Sequence, residues 1–431
     1  MGKKIEGTVP LLRFIHAADL HLGSPARGVN ALPGRVRQLL LEAPYKAYNL
    51  LIETAIKEKV DFVLLAGDLF DQANPSLKAQ VQFIKGMARL NEAGIKAFIC
   101  LGNHDPAPGT GLLRELPPNV HLFSHLHVER IPFIQAGEVK AAVYGISYPT
   151  PRVTENLALQ FKRDPQDPVA IGLLHTNCGG LSGHDHYAPS TVQDLLQAGM
   201  DYWALGHVHT RQMMHEDPPI VYPGNLQGRH SQEQGKRGFF MVTFSSEQGW
   251  QLTFKEAPFV SWEVCSLPVA DFQSWDELEQ IWQAEREKLS RTSCELVMVQ
   301  IVAQGDTPLA HGLADHELRE EWLEAWQQEG LDQFPLIWPY AFEFQGSLPY
   351  DRENLRRSGT WQADLIQLVD HYLEDSESLA SLAQSALAAL YGHPRAKRYL
   401  TALADKEVTR LLCEAERLVF SWLERGKADE D

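Results

Sequence analysis

Five short apolar runs in this sequence each end in residues that bind metal ions. Phe14–Ala18 runs into Asp19-Leu20-His21, Phe62–Ala66 into Gly67-Asp68-Leu69-Phe70-Asp71, and Phe98–Leu101 into Gly102-Asn103-His104-Asp105. Ile171–Leu174 runs into His175, and Trp203–Leu205 into Gly206-His207-Val208-His209. A short apolar run bounded by turn residues reads as a buried strand. In α/β sheets, ligand sites form just beyond the carboxyl ends of the strands. Five such ends carrying Asp, His and Asn can therefore converge on one spot. The glycines before Asp68, Asn103 and His207 permit the sharp backbone exits that turn a side chain inward.

That mixture of donors suits a hydrolase with two metal ions, which holds divalent ions roughly 3.5–4 Å apart. Ions that close repel, so a carboxylate must bridge them, and Asp68 is the natural bridge. Imidazole, carboxylate and amide donors without a thiolate suit manganese, iron or zinc rather than a purely soft-metal site, with magnesium still open.

Around these motifs, strand and helix patterns alternate. Strand candidates are Leu12–Ala17, Phe62–Ala66, Lys96–Leu101, Val139–Ile146, Val169–Leu174, Tyr202–Leu205 and Ile220–Tyr222, with a hairpin from Gly238–Phe244 to Trp250–Phe254. Helical stretches lie near Arg35–Lys59 and Ser76–Ala93, the second closed by Gly94 as a C-terminal cap. The pattern predicts a layered α/β domain over residues 11–259. Beyond it, strand-like Val260–Leu267, Cys294–Ala303 and Pro335–Phe344 alternate with helix-like Ser274–Ser290 and Asp315–Glu329. These predict a small β-α-β-α-β domain over residues 260–348. Residues 349–431 read as helices only, with a break at Gly392–Pro394.

The net charge is −17, and its placement matters more than its size. Residues 1–259 hold 24 Lys+Arg against 24 Asp+Glu, whereas residues 260–431 hold 15 against 32. Of the 17 histidines 13 precede residue 260, and 8 of the 10 tryptophans follow it, so a neutral His-rich part is followed by an acidic Trp-rich one. No run approaches the roughly 18 apolar residues that cross a bilayer, so no membrane role is expected. The stretch Met1–Ile15 has Lys3 and Lys4 but then Glu6 and Pro10, and does not read as a signal peptide. The 5 cysteines are scattered, with no disulfide framework and no Cys-x-x-Cys, which points to a reducing, cytoplasmic setting.

The ordered set of strand-end motifs resembles the calcineurin-like metallophosphoesterase superfamily. The flanking words His16-Ala-Ala-Asp-Leu-His-Leu22, Leu174-His-Thr-Asn-Cys-Gly-Gly180, Tyr202-Trp-Ala-Leu-Gly-His-Val-His209 and Tyr222-Pro-Gly-Asn225 look like the SbcD-type DNA repair nucleases, and most like their YhaO-like branch. The resemblance is rich in motifs over residues 11–240 and beyond 260 rests on layout alone. It implies an α/β (α+β) fold: a two-sheet metallophosphoesterase sandwich flanked by helices, then the small capping domain and C-terminal helices. By that resemblance one ion would take Asp19, His21, Asp68 and His209, and the other Asp68, Asn103, His175 and His207. His104 would not ligate metal but would stand beside the scissile phosphate, aiding the leaving oxygen or the charge of the transition state. The implied activity is metal-dependent hydrolysis of DNA, as exonuclease or endonuclease, with manganese the usual activator. The implied partners are DNA and an SbcC- or YhaN-like SMC-type ATPase, and a homodimer is also open. No Gly-x-x-x-x-Gly-Lys-[Ser/Thr] occurs here, so any ATP must be bound by another chain. One departure is Asp71, where archaeal and eukaryotic relatives often carry a second catalytic His.

Blander readings stand beside these. His16, in mid-strand, reads as a satisfied core histidine, Asp105 as a helix-start residue or one that supports the ligands from behind rather than a catalyst, and Cys178 as a small filler. His184 and His186 follow a glycine-rich stretch and read as loop residues near the site. Arg211, Arg229 and His230 are candidates for holding DNA phosphates. Most of the tryptophans after residue 260 read as core; Trp322 and Trp326 share one helix face. An apolar stripe of Val408, Leu411, Leu412, Ala415, Leu418, Val419, Trp422 and Leu423 packs on its own domain or docks a partner. Two other functions compete: a metallophosphatase or cyclic-nucleotide phosphodiesterase on small substrates, and a non-catalytic assembly subunit. Asp71-Gln72-Ala73 and Asp105 depart from the protein-phosphatase pattern, and the intact donor set with His104 argues against a non-catalytic role.

Overall fold

Strands buried on both faces must be apolar at nearly every position, and the central runs of this chain are. The structure, a computed structural model, describes residues 12–24, 32–71, 75–107, 115–179, 188–331, 333–347, 352–392, 403 and 405–428. In chain order the first part contains β1 (Leu12–Ala17), α1 (Gly34–Glu58), β2 (Phe62–Ala66), α2 (Leu77–Glu92), β3 (Lys96–Cys100), β4 (Val120–Leu122), β5 (Glu129–Gln135), β6 (Glu138–Gly145), β7 (Ala170–His175), α3 (Val192–Gln197), β8 (Tyr202–Gly206), β9 (Gln212–Glu216), β10 (Pro219–Tyr222), β11 (Gly238–Ser245) and β12 (Gly249–Glu256). Then follow β13 (Val260–Pro268), α4 (Trp275–Ser290), β14 (Leu296–Gln304), α5 (Ala310–Ala314), α6 (His316–Gly330) and β15 (Leu336–Gln345). The last helices are α7 (Arg352–Arg356), α8 (Trp361–Glu374), α9 (Ser376–Gly392) and α10 (Asp405–Ala428).

Two six-stranded sheets form the sandwich, in the orders β12-β11-β1-β2-β3-β4 and β5-β6-β7-β8-β10-β9. In the first, β1, β2 and β3 are parallel neighbours and β11 returns antiparallel to β1. In the second, β6, β7 and β8 run parallel. Side chains alternate across each strand. Phe14, Phe62, Leu64 and Phe98 enter the core between the sheets, where they meet Val143, Ile171, Leu173 and Tyr202. Their neighbours Ile15, Val63, Leu65 and Ile99 face the other way, into a core with Tyr48 and Leu51 of α1 and Phe83 and Met87 of α2. The parallel strands thus point their carboxyl ends the same way, which is what the site requires.

The strands the sequence missed, β4, β5 and β9, all lie at sheet edges. β5 carries Pro132, the exposed Arg130 and the exposed Gln135, and β9 reads Gln-Met-Met-His-Glu. An edge strand buries little, so it needs no apolar run.

The chain divides into two compact units. The first comprises the described residues up to Glu263 with Leu289–Val299 and Gly330–Trp338; the second comprises Val264–Lys288, Gln300–Glu329 and the described residues from Pro339 onward. The three strands β13, β14 and β15 form a sheet in that order. Within the second unit, Trp282 and Trp326 are buried with ring centroids 5.2 Å apart, and Trp275 stacks on Trp322 at 5.8 Å. Trp262, Trp282, Trp326 and Trp338 are buried, Trp275 and Trp322 are half-buried, and Trp361 is exposed. Arg352 ties the helical tail together, reaching Glu416 at 2.7 Å and Asp370 at 2.6 Å. Along α10, Leu411 and Leu418 are exposed, Leu412 and Val419 half-buried and Phe420 buried. The side chains of Trp422 and Leu423, like residues 393–400 after Gly392, lie outside the described residues.

A buried carboxylate anchors β5 and β6. Asp167 accepts from Tyr144 Oη (2.5 Å) and Arg130 Nε (2.9 Å) and has no exposed side-chain surface. Burial pushes its pKa up, but the bonds from Arg130 and Tyr144 outweigh that and hold it below the usual range. Its stabilisation is present above the ordinary carboxylate range and is lost as pH falls through the depressed value. Asp167→Ala should cost about 2 kcal/mol, because the buried Tyr144 hydroxyl loses the acceptor of its proton and the half-exposed Arg130 guanidinium its closest partner. Urea unfolding would show it as a lower midpoint at unchanged slope.

Candidate metal centre

Backbone contacts between successive strand ends bring the donors together. Past β1, Asp19 N donates to Gly67 O (3.1 Å), His21 N to Asp68 O (3.0 Å) and Leu22 N to Leu69 O (2.8 Å). The loop after β3 is tied to the loop after β2 by Asp105, whose carboxylate accepts from Leu69 N (2.7 Å) and Gly102 N (2.9 Å). Burial and the Asp68 charge push Asp105 up to about 7. It is a fully buried clamp between loops, in keeping with its blander reading. His104 N donates to Asp68 Oδ1 (3.0 Å), and His207 N donates to Asp19 Oδ2 (3.1 Å).

The price is backbone strain. Asp19 (φ 51°), His21 (φ 43°), Asp68 (φ 49°) and His207 (φ 102°) all adopt left-handed conformations. Each costs roughly 1–3 kcal/mol, and such strain concentrates at functional sites. Two glycines clear the space. Gly67 has φ 87°, and a Cβ there would stand 2.2 Å from His175 Nδ1. A Cβ on Gly102 would stand 2.2 Å from Asp68 Oδ1.

All of Asp19, His21, Asp68, Asn103, His175, His207 and His209 meet at one place. Asp19, His21 and His209 offer atoms within 4.8 Å of one another, as do Asp19, Asp68 and His175, and also His21, Asp71 and His104. His21 Nε2 lies 3.2 Å from His209 Nε2 and 3.9 Å from Asp68 Oδ2. On the other side, His175 Nε2 lies 3.5 Å from Asp68 Oδ2 and 3.0 Å from Asn103 Oδ1, which His207 Nδ1 approaches to 3.3 Å. Asp68 faces both groups.

This donor set fits divalent cations. Burial, with help from the Arg229 charge, lowers His21 to about 3, and burial also lowers His175. Burial and the Asp68 charge raise Asp19. Neutral imidazole lone pairs and buried carboxylate oxygens converge, an arrangement that cations relieve. His104 stands beside this group, half-exposed, its ring edge-on to His21 at 5.0 Å. Its Nδ1 lies 3.1 Å from the Asp71 carbonyl, so Nδ1–H donates there and Nε2 is left for another partner.

The other sequence candidates fall in different surroundings. Arg211 is exposed, its guanidinium 4.2 Å above the Phe254 ring. Arg229 pairs with Asp71 (2.8 Å) and Glu233 (3.2 Å), and His230 lies 3.3 Å from Glu233. His16 is a buried core histidine bonded to Tyr202 (3.0 Å) and Leu205 O (3.1 Å). Cys178 is buried, its thiol pushed up to about 11 by burial. His184 and His186 lie outside the described residues. Sequence reasoning missed Glu233, which accepts from His209 Nδ1 at 2.7 Å. A lone glutamate in a polar loop gives no periodic or motif signal.

The calcineurin-like phosphoesterase profile matches residues 12–211, and that of the YhaO metallophosphoesterase middle domain matches residues 262–347. The uncharacterized metallophosphoesterase YhaO of Bacillus subtilis is 35% identical over 406 residues, spanning 94% of this chain and 96% of that one. The chain belongs to the calcineurin-like metallophosphoesterases, in their YhaO-like branch. The DNA double-strand break repair protein Mre11 of Sulfurisphaera tokodaii is 29% identical over 248 residues, 54% of this chain and 60% of that one. Among solved structures, a dimetal phosphatase from Danio rerio is 11% identical and covers 55% of this chain and 94% of that one, at a TM-score of 0.35. The family uses a dinuclear metal centre, and the donors described above are this chain's candidates for it.

Because Asp68 faces both groups, Asp68→Ala should abolish binding of both ions. Elemental analysis of the purified variant is the check; two ions retained would refute the bridging role.

Proposed function

We propose that the protein is a two-metal, manganese-activated phosphodiesterase that hydrolyses DNA in the cytoplasm, as an exonuclease or endonuclease, beside an SMC-type ATPase. The observation that carries the reading is the convergence of six donors around Asp68 with a half-exposed His104 at their side. Similarity to Mre11 proteins, named for double-strand break repair, supports DNA as the substrate. When bound, the ions supply positive charge at the phosphate and bring the pKa of water towards neutrality. The chain's own residues do the rest. Asp68 is shared between the two groups, with Asp19, His21 and His209 completing one and Asn103, His175 and His207 the other. His104 offers Nε2 to the leaving oxygen, while Nδ1 is held by the Asp71 carbonyl. Arg211, exposed over Phe254, offers a charge for a backbone phosphate.

The decisive experiment incubates the protein with labelled single- and double-stranded DNA in manganese, magnesium or EDTA. Cleavage that requires metal supports the reading. Turnover of a phosphomonoester dye with no cleavage of DNA would point to a small-substrate phosphatase instead. His104→Ala should keep its metal content while losing about 10²–10⁴-fold in rate, the usual size of an acid–base contribution. Lost metal or an unchanged rate would sink that role.

The partner reading rests on α10. Leu411 and Leu418, 39% and 49% exposed and two turns apart, form an outward apolar edge suited to a helical surface such as an SbcC- or YhaN-like coiled coil. Among the described residues no helix is long and apolar enough to cross a membrane. A double substitution of Leu411→Glu and Leu418→Glu should abolish co-purification with the ATPase at unchanged intrinsic DNA cleavage. Retained co-purification would place the contact elsewhere.

A further inference from the structure

His21 and His209 turn Nε2 towards one half of the centre, and each has a carboxylate at its back. His209 Nδ1 donates to Glu233 Oε1 at 2.7 Å, whereas His21 Nδ1 lies 3.1 Å from Asp71 Oδ1 as a close charge contact without hydrogen-bond geometry. One guanidinium spans both carboxylates: Arg229 Nη1 donates to Asp71 Oδ1 (2.8 Å) and Nη2 to Glu233 Oε1 (3.2 Å). In the other half, His175 Nδ1 donates to a backbone carbonyl, that of Ala66 (2.9 Å), whereas His207 Nδ1 faces the Asn103 amide oxygen within the centre itself.

We propose that Asp71, Arg229 and Glu233 form a positioning clamp that sets metal affinity at the half formed by Asp19, His21 and His209. The inference rests on the two-ion reading above. A carboxylate that accepts Nδ1–H fixes the tautomer, leaves the Nε2 lone pair for the metal and raises its basicity. Glu233 is well placed for this. It is buried and also accepts from Asn225 Nδ2 (2.8 Å) and Arg229 N (2.7 Å), so the His209 ring inherits the rigidity of that loop. Arg229 balances the charge of both carboxylates, so they orient imidazoles instead of competing for the ion. The asymmetry makes a specific claim: loss of the clamp weakens one ion and spares the other.

The test titrates metal-free full-length protein with manganese by calorimetry, wild type against Glu233→Gln, alongside thermal melts of both metal-free proteins. Glutamine keeps the shape and removes the charge. The wild type should bind two ions. The variant should melt alike and keep one ion at its original affinity. The second ion should bind about 10–100-fold more weakly, the usual cost of removing an outer partner of a ligating imidazole. Glu233→Asp should recover part of that loss. Equal weakening of both ions, or no change at either, overturns the clamp. Should Glu233→Gln fail to fold, Asp71→Asn, at a partly exposed position, must show the same selective loss. A wild type that binds fewer than two ions overturns the two-ion reading itself.

Discussion

Two carboxylates, Asp19 and Asp68, are held where water barely reaches, each 1% exposed, with oxygens within 4.8 Å of one another and of His175. Like charges buried side by side are unfavourable unless donors or cations compensate them. Part of the compensation is backbone: His207 N serves Asp19 and His104 N serves Asp68. Those amides come from the ends of β8 and β3, on different sheets. The electrostatics of the centre and the register of both sheets are therefore one constraint. A slip of β8 by a single residue would turn its side chains to the opposite face and withdraw His207 from Asp19. The left-handed backbone at four donors is tolerable because buried strands, β1 at all but Arg13 and β2 and β8 along their whole length, hold each loop at its base.

What the sequence revealed follows from the same physics. β2, β7 and β8 are buried along their whole length, so each is a continuous apolar run with a sharp end. The donors stand at those ends, and both strand and donor were legible for one reason. The edge strands β4, β5 and β9 were not, because a strand with one neighbour and a wet face carries no such run. The short α3 also escaped notice; it is set by a Thr191–Asp194 capping box and not by a long apolar stripe. Within the centre, Asp19, His21, Asp68, Asn103, His175, His207 and His209 could be named from position in the chain. Their supports could not, since a residue that backs a ligand is chosen by distance in space.

Arg229 shows the difference most clearly. In sequence it is a basic residue in a polar loop after Tyr222-Pro-Gly-Asn225, and a phosphate contact is the natural reading. In space its guanidinium is already bonded to two carboxylates, with the side chain 14% exposed. A phosphate would have to displace those partners to gain it. Among the described residues Arg211 makes no ion pair; it lies exposed on an aromatic ring, where a guanidinium keeps its charge available.

The family match sharpens this contrast. Residues 12–211 match the phosphoesterase profile, and every donor from Asp19 to His209 falls inside that span. Asp71 falls inside it as well, but Arg229 and Glu233 lie past its end. The chemistry shared with phosphoesterases in general thus resides in the strand ends. The backing of one half of the centre comes from a later loop that folds back onto it. That loop is held in turn by Arg237, which donates to Asn225 Oδ1 (2.9 Å) and to the carbonyls of Gln234 (2.6 Å) and His209. On the clamp proposed above, the strand ends supply the ligands and this later loop sets how tightly one of the ions is held.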